Sequence, residues 1–314
     1  MTLSPSSPGP SLRKLAYRRI DVFTDQPFGG NPLAVFPEPG ALDPEVMQRI
    51  AREMNLSETT FVGPPSPEGR AAGCDWRVRI FTPGAELPMA GHPTLGTAFA
   101  LLRDGRIEGG QVVFEEGVGP VPVRLDAAAD GRVRVEMEQP APSFEPPFED
   151  REGLARSLGI DPADLHPDWP ARVASCGVPF LMVPLRGLEA ARRARPAPAH
   201  WSGTLGARGV HGAMAFCVET ENDDCDVHAR MFAPALGVTE DPATGSACGP
   251  LGAYLLEQGL LGRRDALSLR IEQGLEMGRP SLVEVSVSKT DGAWRVAVAG
   301  RCVAMGEGIL EIPS

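Results

Sequence analysis

The sequence predicts an α+β chain of two pseudo-twofold related lobes, each a β-sheet curled around one central α-helix. Three observations carry this expectation: an internal repeat, two helices apolar on nearly every face, and a length of 314 residues. That length is long for one hydrophobic core and suits two of roughly 150 residues each.

The repeat comes first because a duplicated chain changes the meaning of every later motif. Arg79-Ile80-Phe81-Thr82-Pro83 returns as Arg230-Met231-Phe232-Ala233-Pro234, 151 residues on. GHPTLGTAFALLRDG from Gly91 returns as GSACGPLGAYLLEQG from Gly245, an offset of 154 that three extra residues in the second copy explain. More weakly, NPLAVF at Asn31 resembles VPFLMV at Val178.

Residues 1–14 are Ser- and Pro-rich and read as a flexible tail. The first lobe is expected over 15–138. Strands are expected at 16–23 and 33–36, a helix over 44–54, and alternating strands near 76–82, 111–115, 120–125 and 131–138. The segment from Pro93 to Arg103 reads as a helix with Leu95, Ala98, Phe99, Leu101 and Leu102 on most of its surface, and Ala247 to Gln258 as its partner. A helix lacking a polar face is buried. QPAPSFEPPFED (139–150), with four prolines, marks the lobe boundary, and a helix near 150–158 opens the second lobe, expected over 139–302.

Composition removes several function classes. Thirty Lys and Arg against 41 Asp and Glu leave a net charge of −11, which gives nucleic acid no electrostatic footprint. No apolar run approaches the roughly 20 residues of a membrane helix. Six dispersed cysteines without a CxxC pair point to a reducing, cytoplasmic setting. Five histidines form no HExxH or other i, i+4 pair, and neither GxGxxG after a strand nor a P-loop occurs. No metal or cofactor is therefore expected.

An acid–base set remains: Glu58 in NLSETTF, His92 at the start of one apolar helix, and Asp241 and Ser246 around the start of the other. Helix N-termini expose unpaired N–H groups and partial positive charge, which suits a carboxylate or a developing enolate. Each residue also has a structural reading. Glu58 could be a helix-end charge, His92 and Ser246 capping residues, Asp241-Pro242 a turn opener, and Gly91 and Gly245 only tight turns.

These residues lie in DVFTDQPFGGNPLAVF (21–36), MQRIAREMNLSETTFV (47–62), RIFTPGAELPMAGHPTLGTAFAL (79–101), RMFAPALGVTEDPATGSACGPLGAYL (230–255) and QGLEMGRPSL (273–282). In these motifs, present in order over most of the chain, the sequence resembles the PhzF family of phenazine-biosynthesis isomerases, within the diaminopimelate epimerase and proline racemase superfamily. The match is loose over 140–210. The resemblance implies two barrel-like lobes around central helices, a cleft between them, commonly a homodimer, and a last strand near 303–312 that returns to complete the first lobe.

It also implies the chemistry. Two-base racemases of the superfamily carry a thiol just before each of these helix-start glycines; here those positions are Ala90 and Thr244, neither of which can exchange a proton. Cys248, three residues inside the second helix, reads as packing. By resemblance Glu58 is the acid–base residue that moves a proton between ring carbons of a small anionic carboxylate. His92 and Asp241 form the polar wall, while Ser57, Gly91, Gly245 and Ser246 hold the substrate carboxylate and enolate. The expected activity is a cofactor-independent isomerase of trans-2,3-dihydro-3-hydroxyanthranilate type. An epimerase or isomerase of another amino or hydroxy acid, and a non-catalytic carboxylate-binding protein, stand as alternatives.

Overall fold

The computed structural model of the chain describes residues 12–313 apart from 129, 130, 211 and 263. Positions 1–11 of the expected tail, and His211, lie outside the described residues. Leu12, Arg13 and Lys14 are not tail: they open the first strand, because its partner at the far end of the chain reaches that far.

The first lobe runs β1 (Leu12–Val22), β2 (Asn31–Phe36), α1 (Pro44–Met54), β3 (Glu58–Gly63), α2 (Pro67–Ala71), β4 (Trp76–Phe81), β5 (Glu86–Leu87), α3 (Gly91–Arg103), β6 (Gln111–Glu116), β7 (Gly119–Ala127) and β8 (Val133–Gln139). The second runs β9 (Ser143–Pro147), α4 (Arg151–Ser157), β10 (Arg172–Ser175), β11 (Pro179–Pro184), α5 (Leu188–Arg193), α6 (Pro198–Thr204), β12 (Ala213–Cys217), β13 (Val227–Ala233), β14 (Val238–Asp241), α7 (Gly245–Gln258), β15 (Ala266–Gln273), β16 (Ser281–Thr290) and β17 (Ala293–Pro313). No helix among the described residues is long and apolar enough to cross a membrane.

Strand pairing shows the duplication directly. In the first lobe β2 runs parallel to β3, β3 antiparallel to β4, and β4 parallel to β6. In the second, β11 runs parallel to β12, β12 antiparallel to β13, and β13 parallel to β15. The short β5 and β14 hang on β4 and β13 respectively. The first set closes into a ring, β1-β2-β3-β4-β6-β7-β8-β17-β1. The second set runs in the order β9-β10-β11-β12-β13-β15-β16-β17.

The lobes are joined by strands rather than by an open linker. Residues 293–299 of β17 pair with β16, whereas 302–313 of the same strand pair with β1. Between them β17 also pairs with β8, Val296 opposite Gln139 through Arg301 opposite Arg134. The proline-rich 139–150 segment contains β9, whose Pro146 and Pro147 sit at its end. A strand of this kind tolerates proline where no ladder donor is required.

Each central helix fills its sheet. Every residue of α3 from Gly91 to Leu101 is buried, and α7 is buried from Ala247 to Leu256. Side chains such as Leu95, Leu101, Leu251 and Leu255 are sealed from water, each worth roughly 1.5–3 kcal/mol. Outer helices cover the other sheet faces: α1 brings Met47 and Ile50 onto Phe36, Phe61 and Phe81, while α4 and α6 bring Leu154, Leu158 and Trp201 onto Leu181 and Phe232.

Both central helices begin two residues earlier than the apolar pattern predicts. Gly91 and Gly245 are helical residues rather than turns before a helix, and the capping positions fall to Ala90 and Thr244. Beneath the first turn of α3, Glu116 at the end of β6 is buried. Thr94 Oγ lies 2.6 Å from both Ala90 O and Glu116 Oε1. One hydroxyl proton cannot serve both acceptors, so the contact requires a proton on Glu116. Burial supplies that condition by pushing its carboxyl up to about 8.

Two outcomes are expected from this packing. A Cβ on Gly96 would stand 2.6 Å from Leu33 Cδ2 and 2.7 Å from Val22 Cγ2. Gly96→Ala should therefore destabilise by about 1–3 kcal/mol in urea titration, although helix propensity alone would favour alanine by about 1 kcal/mol. A raised urea midpoint would show that α3 has spare room. For Glu116 the folded pKa exceeds the unfolded one, so its contribution to stability falls as pH rises from the ordinary glutamate range to about 8. Glu116→Gln should remove that loss, about 1.4 kcal/mol per pH unit crossed. Urea melts of both proteins at pH 5 and pH 8 measure it, and equal slopes would contradict a buried neutral acid.

Candidate active site

The site is built where the two central helices meet. A Cβ on Gly91 would lie 3.0 Å from Ser246 N and 3.2 Å from Gly245 C, and one on Gly245 would lie 2.7 Å from Phe23 Cζ. Glycine at position 91 lets the two helix starts touch, and glycine at 245 makes room for the Phe23 ring. Neither helix has a side-chain cap, so the positive ends of two helices converge on one place. Gly91, His92, Gly245 and the half-buried Ser246 are thus brought together.

Glu58 enters from the first residue of β3, which lies parallel to β2 with Leu33 opposite Glu58. Its Oε2 stands 3.2 Å from Nε2 of His92, the second residue of α3. The contact is within ion-pair range but is not aligned as a hydrogen bond, and both atoms are buried without another partner. Burial, and then the charge of Asp241, raise the Glu58 carboxyl well above the ordinary range, while burial lowers His92 to about 3. Burial thus favours the uncharged form of both groups.

Asp241, at the end of β14, is only 6% exposed and is held on several sides. Its Oδ1 accepts from Asn31 Nδ2 at 2.9 Å and from Ser57 Oγ at 3.3 Å, and its Oδ2 accepts from the Thr244 hydroxyl. Burial lifts its carboxyl to about 6 against the pull of those hydrogen bonds, with the charge of Glu240 adding a little. Two buried carboxyl groups thus lie near each other, with Ser57 linking the backbone of Glu58 to the side chain of Asp241.

The sequence assigns no role to several residues that build this arrangement, although Asn31, Thr244 and Gln273 lie inside its motifs. Asn31 also donates to Ala243 O at 2.9 Å, and its Oδ1 is buried without a partner. Gln273 donates to Asp241 O at 2.7 Å and accepts from Thr244 N at 3.1 Å. Gln139 Nε2 donates to Gly245 O at 3.0 Å. Thr244, which cannot exchange a proton, positions Asp241 instead. The available signal is a polar side chain at an end of an apolar strand: Asn31 heads NPLAVF and Gln273 closes β15. Arg279, in the loop after β15, donates to Gly29 O, Gly30 O and buried Asp21, tying that loop to the other lobe. Cys248 is buried and its thiol is pushed up by burial, consistent with packing.

Comparison with known proteins places this site in a family. The profile described as "Phenazine biosynthesis-like protein" (PhzC-PhzF) matches residues 20–308. The uncharacterized isomerase YfhB of Bacillus subtilis is 33% identical, covering 96% of this chain and 100% of its own. The trans-2,3-dihydro-3-hydroxyanthranilate isomerase of Pseudomonas fluorescens is 36% identical, covering 94% and 98%. The crystal structure of a PhzF-family phenazine biosynthesis protein from Bacillus anthracis superposes with a TM-score of 0.88 at 30% identity, over 96% of this chain and 100% of that one. With its duplicated strand order and abutting helix starts, the chain belongs to the PhzC-PhzF family and is an isomerase.

Proposed function

We propose that this isomerase moves a proton between two carbons of a small cyclic carboxylic acid, with trans-2,3-dihydro-3-hydroxyanthranilate as the leading substrate. One observation carries the reading: Glu58 Oε2 and His92 Nε2 are buried, close and without hydrogen-bond partners, beside two uncapped helix starts. Unpartnered buried polar atoms cost roughly 1–3 kcal/mol each, so a polar ligand that meets them is favoured. The substrate class comes from the relatives of that name, which are 36% identical to this chain.

The chemistry derives from the environment of Glu58. Ionised, it accepts a proton from a ring C–H acidified by conjugation, and the electron pair passes into the conjugated system. The first-turn amides of α3 and α7, with the Ser57 and Ser246 hydroxyls, hold the substrate carboxylate and the enolate oxygen. Glu58, now protonated, returns the proton to a second carbon on the same ring face, and the enol tautomerises to the ketone. No net oxidation occurs. A raised pKa serves both steps, since the same group must accept and then donate near neutral pH. His92 and Asp241 orient the substrate, and the negative charge of Asp241 keeps Glu58 a ready acid. The reading includes a homodimer working in the cytoplasm. Whole-length relatives described only as isomerases favour a second reading, the same proton transfer on another amino or hydroxy acid.

Incubation with the dihydro-hydroxyanthranilate in deuterated water, monitored by NMR, should show isomerisation with deuterium entering the product ring. Glu58→Gln should lower turnover by about 10²–10⁴-fold, the usual worth of a positioned acid–base group. Undiminished turnover in that variant would overturn the assignment. For wild type, kcat/KM should rise with pH through an apparent pKa above the ordinary glutamate range, because the base must be ionised and its pKa is raised. A profile flat down to the ordinary glutamate pKa would contradict it.

A further inference from the structure

Glu240 and Asp241 are consecutive residues of β14, so their side chains leave opposite faces of the strand. Asp241 faces the site. Glu240 faces Arg230 of β13, whose Nε and Nη2 donate to its two carboxylate oxygens at 2.8 Å each. Arg230 is 1% exposed, and its remaining Nη1 donates to Ala191 O at 2.7 Å and Ala194 O at 2.9 Å, at the end of α5. The guanidinium is thereby fixed on three sides, and the planar fork permits one placement of Glu240.

The backbone ladder cannot do this work alone. Between β13 and β14 only Met231 with Asp241 and Ala233 with Val238 pair, and the register slips between them. The same ion pair recurs in the other lobe. Arg79 Nε and Nη2 donate to Glu86 at 2.7 Å each, and Glu86 lies 154 residues before Glu240, the offset of the helix-start glycines. The copies differ at the next residue, which is Leu87 after Glu86 and Asp241 after Glu240. They also differ in burial, since the Arg79 and Glu86 side chains are 21% and 43% exposed whereas those of Arg230 and Glu240 are 1% and 14% exposed.

We propose that Arg230 and Glu240 are positioning residues for Asp241: their buried two-point ion pair sets the rotation of β14 that turns the Asp241 carboxylate onto Asn31, Ser57 and Thr244. This deepens the proposed role of Asp241 in orienting the substrate and rests on it. The duplication supplies the arrangement. An arginine–glutamate clamp holds the strand before each central helix, and the copy with an acid after its clamp has the less exposed clamp. The titratable groups around Asp241 are Glu58 on β3, His92 on α3, Cys248 on α7 and Glu240. Beyond Glu240 lie Arg230, Glu276 and His228, with His228 Nε2 3.0 Å from Glu276 Oε1 and Nδ1 2.9 Å from Glu272 Oε1. Because Glu240 acts on Asp241 by charge as well as by placement, the two effects separate in different variants.

Arg230→Lys keeps the charge and loses the fork; Glu240→Gln keeps the shape and loses the charge. Both are made in the full chain and checked by near-ultraviolet circular dichroism. The first readout needs no substrate: the Asp241 carboxyl is titrated by carbon-13 NMR of carboxyl-labelled aspartate, assigned with Asp241→Asn. Glu240→Gln should move its midpoint to lower pH, and Arg230→Lys should change its chemical shift at fixed pH. The second readout is turnover, where both variants should lose at least about tenfold in kcat with KM changed less than about threefold. An Asp241 resonance unmoved in both folded variants, or kcat within about twofold of wild type in both, overturns the proposal. Should a single variant fail to fold, Arg230→Met with Glu240→Leu removes both charges together, leaving no unpaired ion. That double variant should fold with a displaced Asp241 resonance, and a wild-type resonance in it overturns the proposal. If wild type does not turn over the test acid, the NMR arm still decides, and the failure belongs to the substrate assignment.

Discussion

Two α-helices end-to-end at their positive termini are an unfavourable arrangement, and the rest of the molecule is organised around it. Neither α3 nor α7 has a side-chain cap, and Gly91 packs against the backbone of Gly245 and Ser246. Unpaired first-turn amides and two partial positive charges in one enclosure ask for negative charge. The chain supplies carboxyl groups at the margin, Glu58 and Asp241. A global charge of −11 does not oppose an anion there, because the helix ends act at contact distance while exposed surface charges are screened over about 10 Å.

Burial then sets the protonation states. An isolated carboxylate in an apolar enclosure is costly, so it stays protonated unless donors surround it. Asp241 has Asn31, Ser57 and Thr244 as donors and is lifted to about 6; Glu58 has no such set and is raised well above the ordinary glutamate range. The difference in donors sets the two otherwise similar acids apart. Burial lowers His92 to about 3, so it remains neutral. Duplication explains why such a site sits on a seam. Each lobe contributes one helix start, and β17, shared between the two sheets, prevents the lobes from moving as independent bodies.

Much of this is legible in one dimension. The repeat at offsets of 151 and 154, the two helices without a polar face, and Glu58, His92 and Asp241 as an acid–base set all derive from residue order and type. The extents of α1, β2 and β6 lie close to expectation because amphipathic period, proline and glycine are local signals. The apolar pattern puts both helix starts two residues late, since it treats glycine as a turn former when here it admits a close neighbour, α7 at Gly91 and Phe23 at Gly245. Residues 12–14 read as tail because nothing nearby in the sequence reveals a partner about 300 residues away.

By itself, then, the sequence determined the duplicated architecture, the apolar helices and the residue types capable of proton transfer, all properties of short segments or of one segment compared with another. Only the tertiary structure decided which polar side chains hold which acid. Asn31, Gln139, Thr244 and Gln273 carry no local signature of their task, because a hydrogen bond across 29 to 212 residues depends on where the strands end in space. It also decided the protonation states, for a pKa is a property of the enclosure and not of the residue. Low dielectric, a neighbouring carboxylate and the number of donors arise only when the lobes close on each other.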